Sequence, residues 1–161
     1  MDFKDKLKEK LHQKFPSVEF VFEEFRGELT IKFDKNAIVE VAEFLKTDEE
    51  LSFKLCEDVT GIDWQKKRDR FTVIYQLFSL TNKFRLRMKC DLGDEWSIDT
   101  VSSVWRSSNW AERETYDMYG IIFNNHPDLR RMYMPEEFEY YPLRKDFPLM
   151  GVPGSIPLPK K

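Results

Sequence analysis

The chain has 161 residues, 41% of them hydrophobic and 15% aromatic, with 14 phenylalanines, enough for one domain with a real core and an extension. A formal charge of −3 and a pI near 5.6 leave no global electrostatic case for binding nucleic acid. Apolar runs such as Gly120 to Phe123 fall far short of the ~20 residues a membrane-spanning helix needs. The charged stretch from Met1 to Lys14 lacks the apolar segment of a secretory signal, so the expectation is a protein of the cytoplasmic side that meets a membrane only through partners.

Phe3, Leu7 and Leu11 recur at four-residue spacing and predict a helix over residues 3–14, stopped by Pro16. Val18, Phe20 and Phe22 alternate, Arg26-Gly27 turns the chain, and Leu29, Ile31 and Phe33 alternate again, which predicts a β-hairpin with one apolar face. Asp34 is a candidate N-cap, with Phe33 and Ile38 at hydrophobic-staple positions. Ile38, Val41, Ala42 and Leu45 then form the buried stripe of a second helix.

A third strand is expected within residues 53–63. A fourth carries Phe71, Val73, Tyr75 and Leu77, and after a turn at Thr81-Asn82 a fifth carries Phe84, Leu86, Met88 and Cys90. Opposite those apolar positions stand Lys83, Arg85, Arg87 and Lys89. This basic row reads first as a solvated strand face, then as a contact for an acidic partner, and last as a nucleic-acid surface.

Asn109 and Glu112 have the spacing of a capping box at the start of the last helix, Arg113 and Asp117 are placed to pair across one turn, and Gly120 is a natural C-cap. Beyond about residue 123 periodicity stops, and seven of the eight prolines lie between Pro127 and Pro159. Each removes a backbone donor and favours an extended predecessor. This segment lacks the repeating apolar face that closes a core, yet it is too rich in large apolar residues for a solvated tail. It reads as a strap that orders on another protein. The fold class is therefore α+β: a small mixed or antiparallel sheet with helices packed on it over residues 1–120, and a Pro-rich extended segment over 121–161.

Cys56, Cys90, His12 and His126 show no CxxC, HExxH or clustered spacing, so no iron–sulfur cluster or zinc ion is expected on this chain alone. Three local groups carry possible chemistry. Glu112-Arg113-Glu114 with Asp117 offers paired carboxylates, but the interposed arginine favours their ionised forms and an ion-pair node over acid–base work. His126-Pro127-Asp128-Leu129-Arg130-Arg131 offers a histidine for proton transfer or ligation, or a turn in which Asp128 holds His126. Arg130 and Arg131 suit bidentate pairing with carboxylates across an interface. Tyr141-Pro142-Leu143-Arg144-Lys145-Asp146-Phe147-Pro148-Leu149 mixes apolar anchors with charge, as interface hot spots do.

These same motifs, preceded by Trp105 and Asn109-Trp110, resemble the signature of the thirty-kilodalton, or C-type, subunit family of respiratory NADH:quinone oxidoreductase, complex I. The resemblance is carried by residues 102–149. It implies a chain without flavin, iron–sulfur cluster or nickel of its own, with FMN, iron–sulfur clusters and quinone held by partner subunits. It implies contact with the D-type subunit, which is hydrogenase-like and helps form the quinone site, and with neighbouring iron–sulfur subunits of the peripheral arm. The implied role is a scaffold on the cytoplasmic side of the inner membrane, with Arg131 and Arg144 pairing carboxylates on a partner. The equivalent subunit of a membrane-bound [NiFe]-hydrogenase, or of a dehydrogenase with a deazaflavin donor, shares such motifs. A free-standing acid–base enzyme using Glu112, Glu114 and His126 is the alternative of another class.

Overall fold

A computed structural model describes residues 2–66 and 68–155; the end of the expected strap, residues 156–161, lies outside the described residues. Helix α1 (Phe3–Lys14) buries Leu7 and Leu11. Strands β1 (Val21–Phe25) and β2 (Glu28–Lys32) form the expected hairpin, and Arg26 and Gly27 both turn with positive φ, 51° and 84°. The strand starts at Val21, so Val18 and Phe20 lead into it instead of pairing within it. The Asp34 carboxylate accepts from the Asn36 N–H at 2.8 Å and caps a single 3-10 turn, Lys35–Ala37, which feeds α2 (Ile38–Thr47). That helix buries Ile38, Val41, Ala42 and Leu45, the stripe its spacing predicts.

Strands β3 (Leu55–Asp63), β4 (Phe71–Ser79) and β5 (Phe84–Asp91) complete a five-stranded sheet in the order β1-β2-β5-β4-β3. Only β2 and β5 run parallel, because α2 and the β3–β4 pair intervene between them in the chain; the sheet is therefore mixed. Phe71, Val73, Tyr75 and Leu77 of β4, Leu86, Met88 and Cys90 of β5 and Leu29 and Ile31 of β2 share one core with the buried stripes of α1 and α2. The basic row is paired from within the chain: Arg85 with Glu57, Arg87 with Glu28 and Lys89 with Glu23, at 3.3, 2.9 and 3.2 Å. Lys83 sits in the β4–β5 turn at φ 50°. The chain's own carboxylates thus take the place of an acidic partner or a phosphate backbone on this face.

Helix α3 (Ser108–Tyr119) packs along β3, its Thr115 hydroxyl donating to the Val59 carbonyl at 2.8 Å. Gly61 makes this approach possible, since a Cβ there would stand 3.0 Å from both the Tyr119 ring and the Ile121 side chain. The folded body continues past residue 120. A further strand, β7 (Ile122–Asn124), pairs in parallel with β6 (Ser97–Asp99), an addition too short to leave a pattern in the sequence.

Candidate functional site: a strap clasped to α3

Helix α3 places its polar residues on different sides, and each side does something different. The helix starts at Ser108, and Ser107 makes no side-chain cap, so the expected Asn109–Glu112 capping box does not form. Glu112 instead reaches inward and accepts from the Val101 N–H at 2.8 Å and from the Thr100 hydroxyl. The expectation that Arg113 keeps this carboxylate ionised fails for the same reason. Arg113, itself buried, lies over the Trp110 ring, 4.6 Å from its centroid, while burial pushes the Glu112 carboxyl up to about 7 despite its hydrogen bonds. Glu114 is exposed beside a shallow hollow formed with Asp58, Thr60 and Leu143.

Arg113 does not pair with Asp117 either. Its Nε donates to the Arg130 carbonyl at 3.2 Å, and Nη1 lies 3.9 Å from Asp128. Asp117 is buried and faces the strap. Its Oδ2 accepts from the consecutive backbone N–H groups of Met132, Tyr133 and Met134 at 3.0, 2.7 and 3.0 Å, and Oδ1 from Arg131 Nη1 at 2.9 Å. Burial alone would raise this carboxyl, but the three amides and the arginine hold it below the ordinary carboxylate range.

Further along, the strap crosses the C-terminus of α3. Gly120 closes the helix in the left-handed region at φ 73°, and a Cβ there would also strike the Tyr141 ring at 2.8 Å. The Leu143 N–H donates to the Met118 carbonyl at 3.1 Å, and Arg144 Nε donates to the Tyr119 carbonyl at 2.6 Å. The Arg144 guanidinium packs on Tyr141, Trp96 and Phe71, with centroids 4.2, 4.9 and 5.6 Å away. Pro142, ahead of it, is half-buried. The Lys145 N–H donates to Asp63 Oδ2 at 2.8 Å, and Asp146 pairs with Arg70 at 3.0 Å. Arg70 in turn forks onto both oxygens of Asp63, at 2.9 and 2.7 Å. Asp63 is buried, which alone would raise its pKa, but Arg70 and the N–H groups of Lys145 and Gln65 outweigh this and hold it at about 2.

Two expectations are therefore corrected. The segment after Gly120 has anchors within its own chain, and Arg131 and Arg144 spend their guanidinium groups internally instead of on a partner's carboxylates. The physical reason is the buried Asp117 and Asp63, which gather orphan backbone donors of a proline-rich segment that has no ladder of its own. Arg130 remains outward, its side chain 66% exposed and, among the described residues, bonded to Asp128 alone, at 3.0 Å. His126 is held at the first turn, where its Nδ1 accepts from the Asp128 N–H at 3.1 Å; Pro127 is exposed beside it. Asp63, Arg70, Trp96 and Thr100 escaped sequence reading altogether. Asp63 and Lys145 are 82 residues apart, and no local pattern links them.

What the strap leaves uncovered is apolar. Tyr133 is 59% exposed, Leu143 51%, Leu149 101% and Met150 94%. Among the described residues no helix is long and apolar enough to cross a membrane.

Residues 31–153 match the family described as "Respiratory-chain NADH dehydrogenase, 30 Kd subunit". The chain is 49% identical over 150 residues to the C-type subunit of NADH-quinone oxidoreductase from Geobacter metallireducens, covering 92% of this chain and 91% of that one. It is 53% identical over 119 residues to the second C-type subunit of NADH-quinone oxidoreductase from Rhizobium meliloti, covering 74% and 65%. Among solved structures it superposes on a trypsin-resistant fragment of Nqo5 with a TM-score of 0.66 at 28% identity, over 78% of this chain and 98% of that one. A chain of the archaeal membrane-bound sulfane sulfur reductase, a respiratory membrane complex, shares the fold with a TM-score of 0.73 at 20% identity, over 92% of this chain and 88% of that one. With the family match running from the end of β2 through β3, β4, β5, α3 and the strap, the chain belongs to the 30 Kd subunit family of respiratory-chain NADH dehydrogenase.

Proposed function

We propose that this chain is a non-redox subunit of an NADH:quinone oxidoreductase, in which it fixes partner subunits in place without reacting. In this reading FMN, the iron–sulfur clusters and quinone belong to those partners, the hydrogenase-like D-type subunit among them. The complex stands on the cytoplasmic side of the inner membrane. Family membership and the near full-length identity to C-type subunits support the assignment. The observation that carries the scaffold role is an apolar surface on a pre-set frame. Leu143, Leu149 and Met150 stand exposed on a strap whose backbone is tied down by Asp117, Asp63 and Arg144. Exposed apolar side chains on a fixed frame cost solubility unless another surface covers them, and an ordered frame loses little entropy on docking.

Co-expression with the D-type subunit tests this. A stable co-purifying pair is expected, and Leu149→Asp combined with Met150→Asp should weaken it without lowering the melting temperature of the isolated chain. Failure of the unmodified chain to associate would sink the proposal. The acid–base enzyme reading has little room: Glu112 and His126 do meet, but both side chains are 0% exposed, so a substrate has no path to them.

A further inference from the structure

The scaffold role leaves two buried titratable side chains unexplained, and they lie where the strap leaves the body. Glu112 Oε2 stands 3.8 Å from His126 Nε2, and each side chain is 0% exposed. Among the described residues no lysine or arginine pairs with Glu112, and its bonds are to the Val101 N–H and the Thr100 hydroxyl. The other titratable groups around the pair come from four places. Cys56 of β3 and Tyr75 of β4 face Glu112, while Arg113 of α3 and Asp128 of the strap face His126. The Tyr75 hydroxyl is itself buried without a hydrogen-bond partner.

The partners of the imidazole fix its form. Nε2 lies 3.2 Å from the Asn109 carbonyl oxygen, which can only accept, so Nε2 carries the proton. Nδ1 accepts from the Asp128 N–H at 3.1 Å, so it carries none. His126 is thus a neutral Nε2–H tautomer. A second proton on Nδ1 would point at the Asp128 N–H, and burial already disfavours the charged ring. Proton exchange with solvent in this pocket therefore falls to Glu112.

We propose that Glu112 and His126 form a proton-operated latch at the root of the strap, in which ionisation of Glu112 draws the His126 Nε2–H off the Asn109 carbonyl and onto the carboxylate. The shift needed is about 1 Å, from the present separation to the ~2.8 Å of a charge-assisted bond. The ring cannot make it alone. Because Nδ1 holds the Asp128 N–H, the turn at residues 126–128 moves with it, up to the point where Asp117 clasps Arg131 and the amides that follow. The proton state of one buried carboxyl is thereby read out as the position of the turn at residues 126–128, on this chain alone and without any partner.

The test is a ¹⁵N-histidine and backbone-amide NMR titration of the full chain, from roughly pH 5.5 to roughly pH 8.5. The His126 ring should remain the Nε2–H tautomer throughout. Its Nε2 resonance and the Asp128 amide should shift together in one transition with a midpoint at about 7. Glu112→Gln should abolish that transition and leave the tautomer unchanged. An Nδ1–H tautomer or an imidazolium in this range, a flat wild-type titration, or a transition that survives in Glu112→Gln would each overturn the proposal. The wild-type titration decides by itself should the variant fail to fold.

Discussion

Replacing Asp117 with Asn should free the strap while leaving the sheet intact. The carboxylate accepts three consecutive backbone amides and one arginine, all within 3.0 Å, from a side chain that is 0% exposed. Bonds to a charged acceptor contribute about 1.5–3 kcal/mol each, against roughly 1 kcal/mol for neutral ones. Asn keeps one oxygen for the amides but turns a nitrogen donor towards Arg131. Allowing for three bonds sharing one oxygen, the loss is about 2–3 kcal/mol. That energy belongs to a local opening, so it appears as hydrogen exchange at residues 132–134 accelerated by about 30- to 150-fold, with the β4 and β5 amides unchanged. Mass-spectrometric exchange on the isolated chain reads both. Acceleration of less than about threefold at residues 132–134, or acceleration shared equally by the central strands, would refute the clasp.

Arg144→Ala should destabilise the chain in the absence of any partner, by about 1–2 kcal/mol, because its contacts with Tyr119, Tyr141 and Trp96 are internal. A melting temperature unchanged in the isolated variant would return Arg144 to the interface. Gly120→Ala combines a left-handed backbone with a Cβ that meets the Tyr141 ring, so faster proteolysis between residues 138 and 147 is expected and wild-type resistance would contradict it. Asp63 is held at about 2, below its ordinary 3.8; its contribution is present above 3.8 and lost as pH falls through 2, so strap amides near Lys145 should deprotect across that window. Glu112 runs the other way. Its folded value of about 7 lies above the ordinary 4.5, so its contribution is complete below 4.5 and lost as pH rises through 7. Glu112→Gln should flatten that part of the stability profile measured by urea denaturation, and an unchanged slope would count against a buried neutral acid.

The sheet and its helices were legible wherever a period was long enough to show. Leu7 and Leu11, the Ile38–Leu45 stripe, and the alternations of β2, β4 and β5 state their buried faces outright, because burial on one side of a regular element imposes a repeat. Motif spacing over residues 112–149 disclosed the family for a related reason: those residue types are tied to fixed positions on one helix and its strap. Chain-local reasoning could not reveal what each charged group faces. Arg113 and Asp117 are correctly spaced to pair, yet one turns to Trp110 and the strap carbonyls while the other gathers amides 15 to 17 residues away. Proline-rich backbone carries no period, so its donors must find acceptors at long range. Only the packed structure decided that Asp117 and Asp63 supply them, because a buried carboxylate is stable only where enough N–H groups converge, and that convergence is a property of three dimensions.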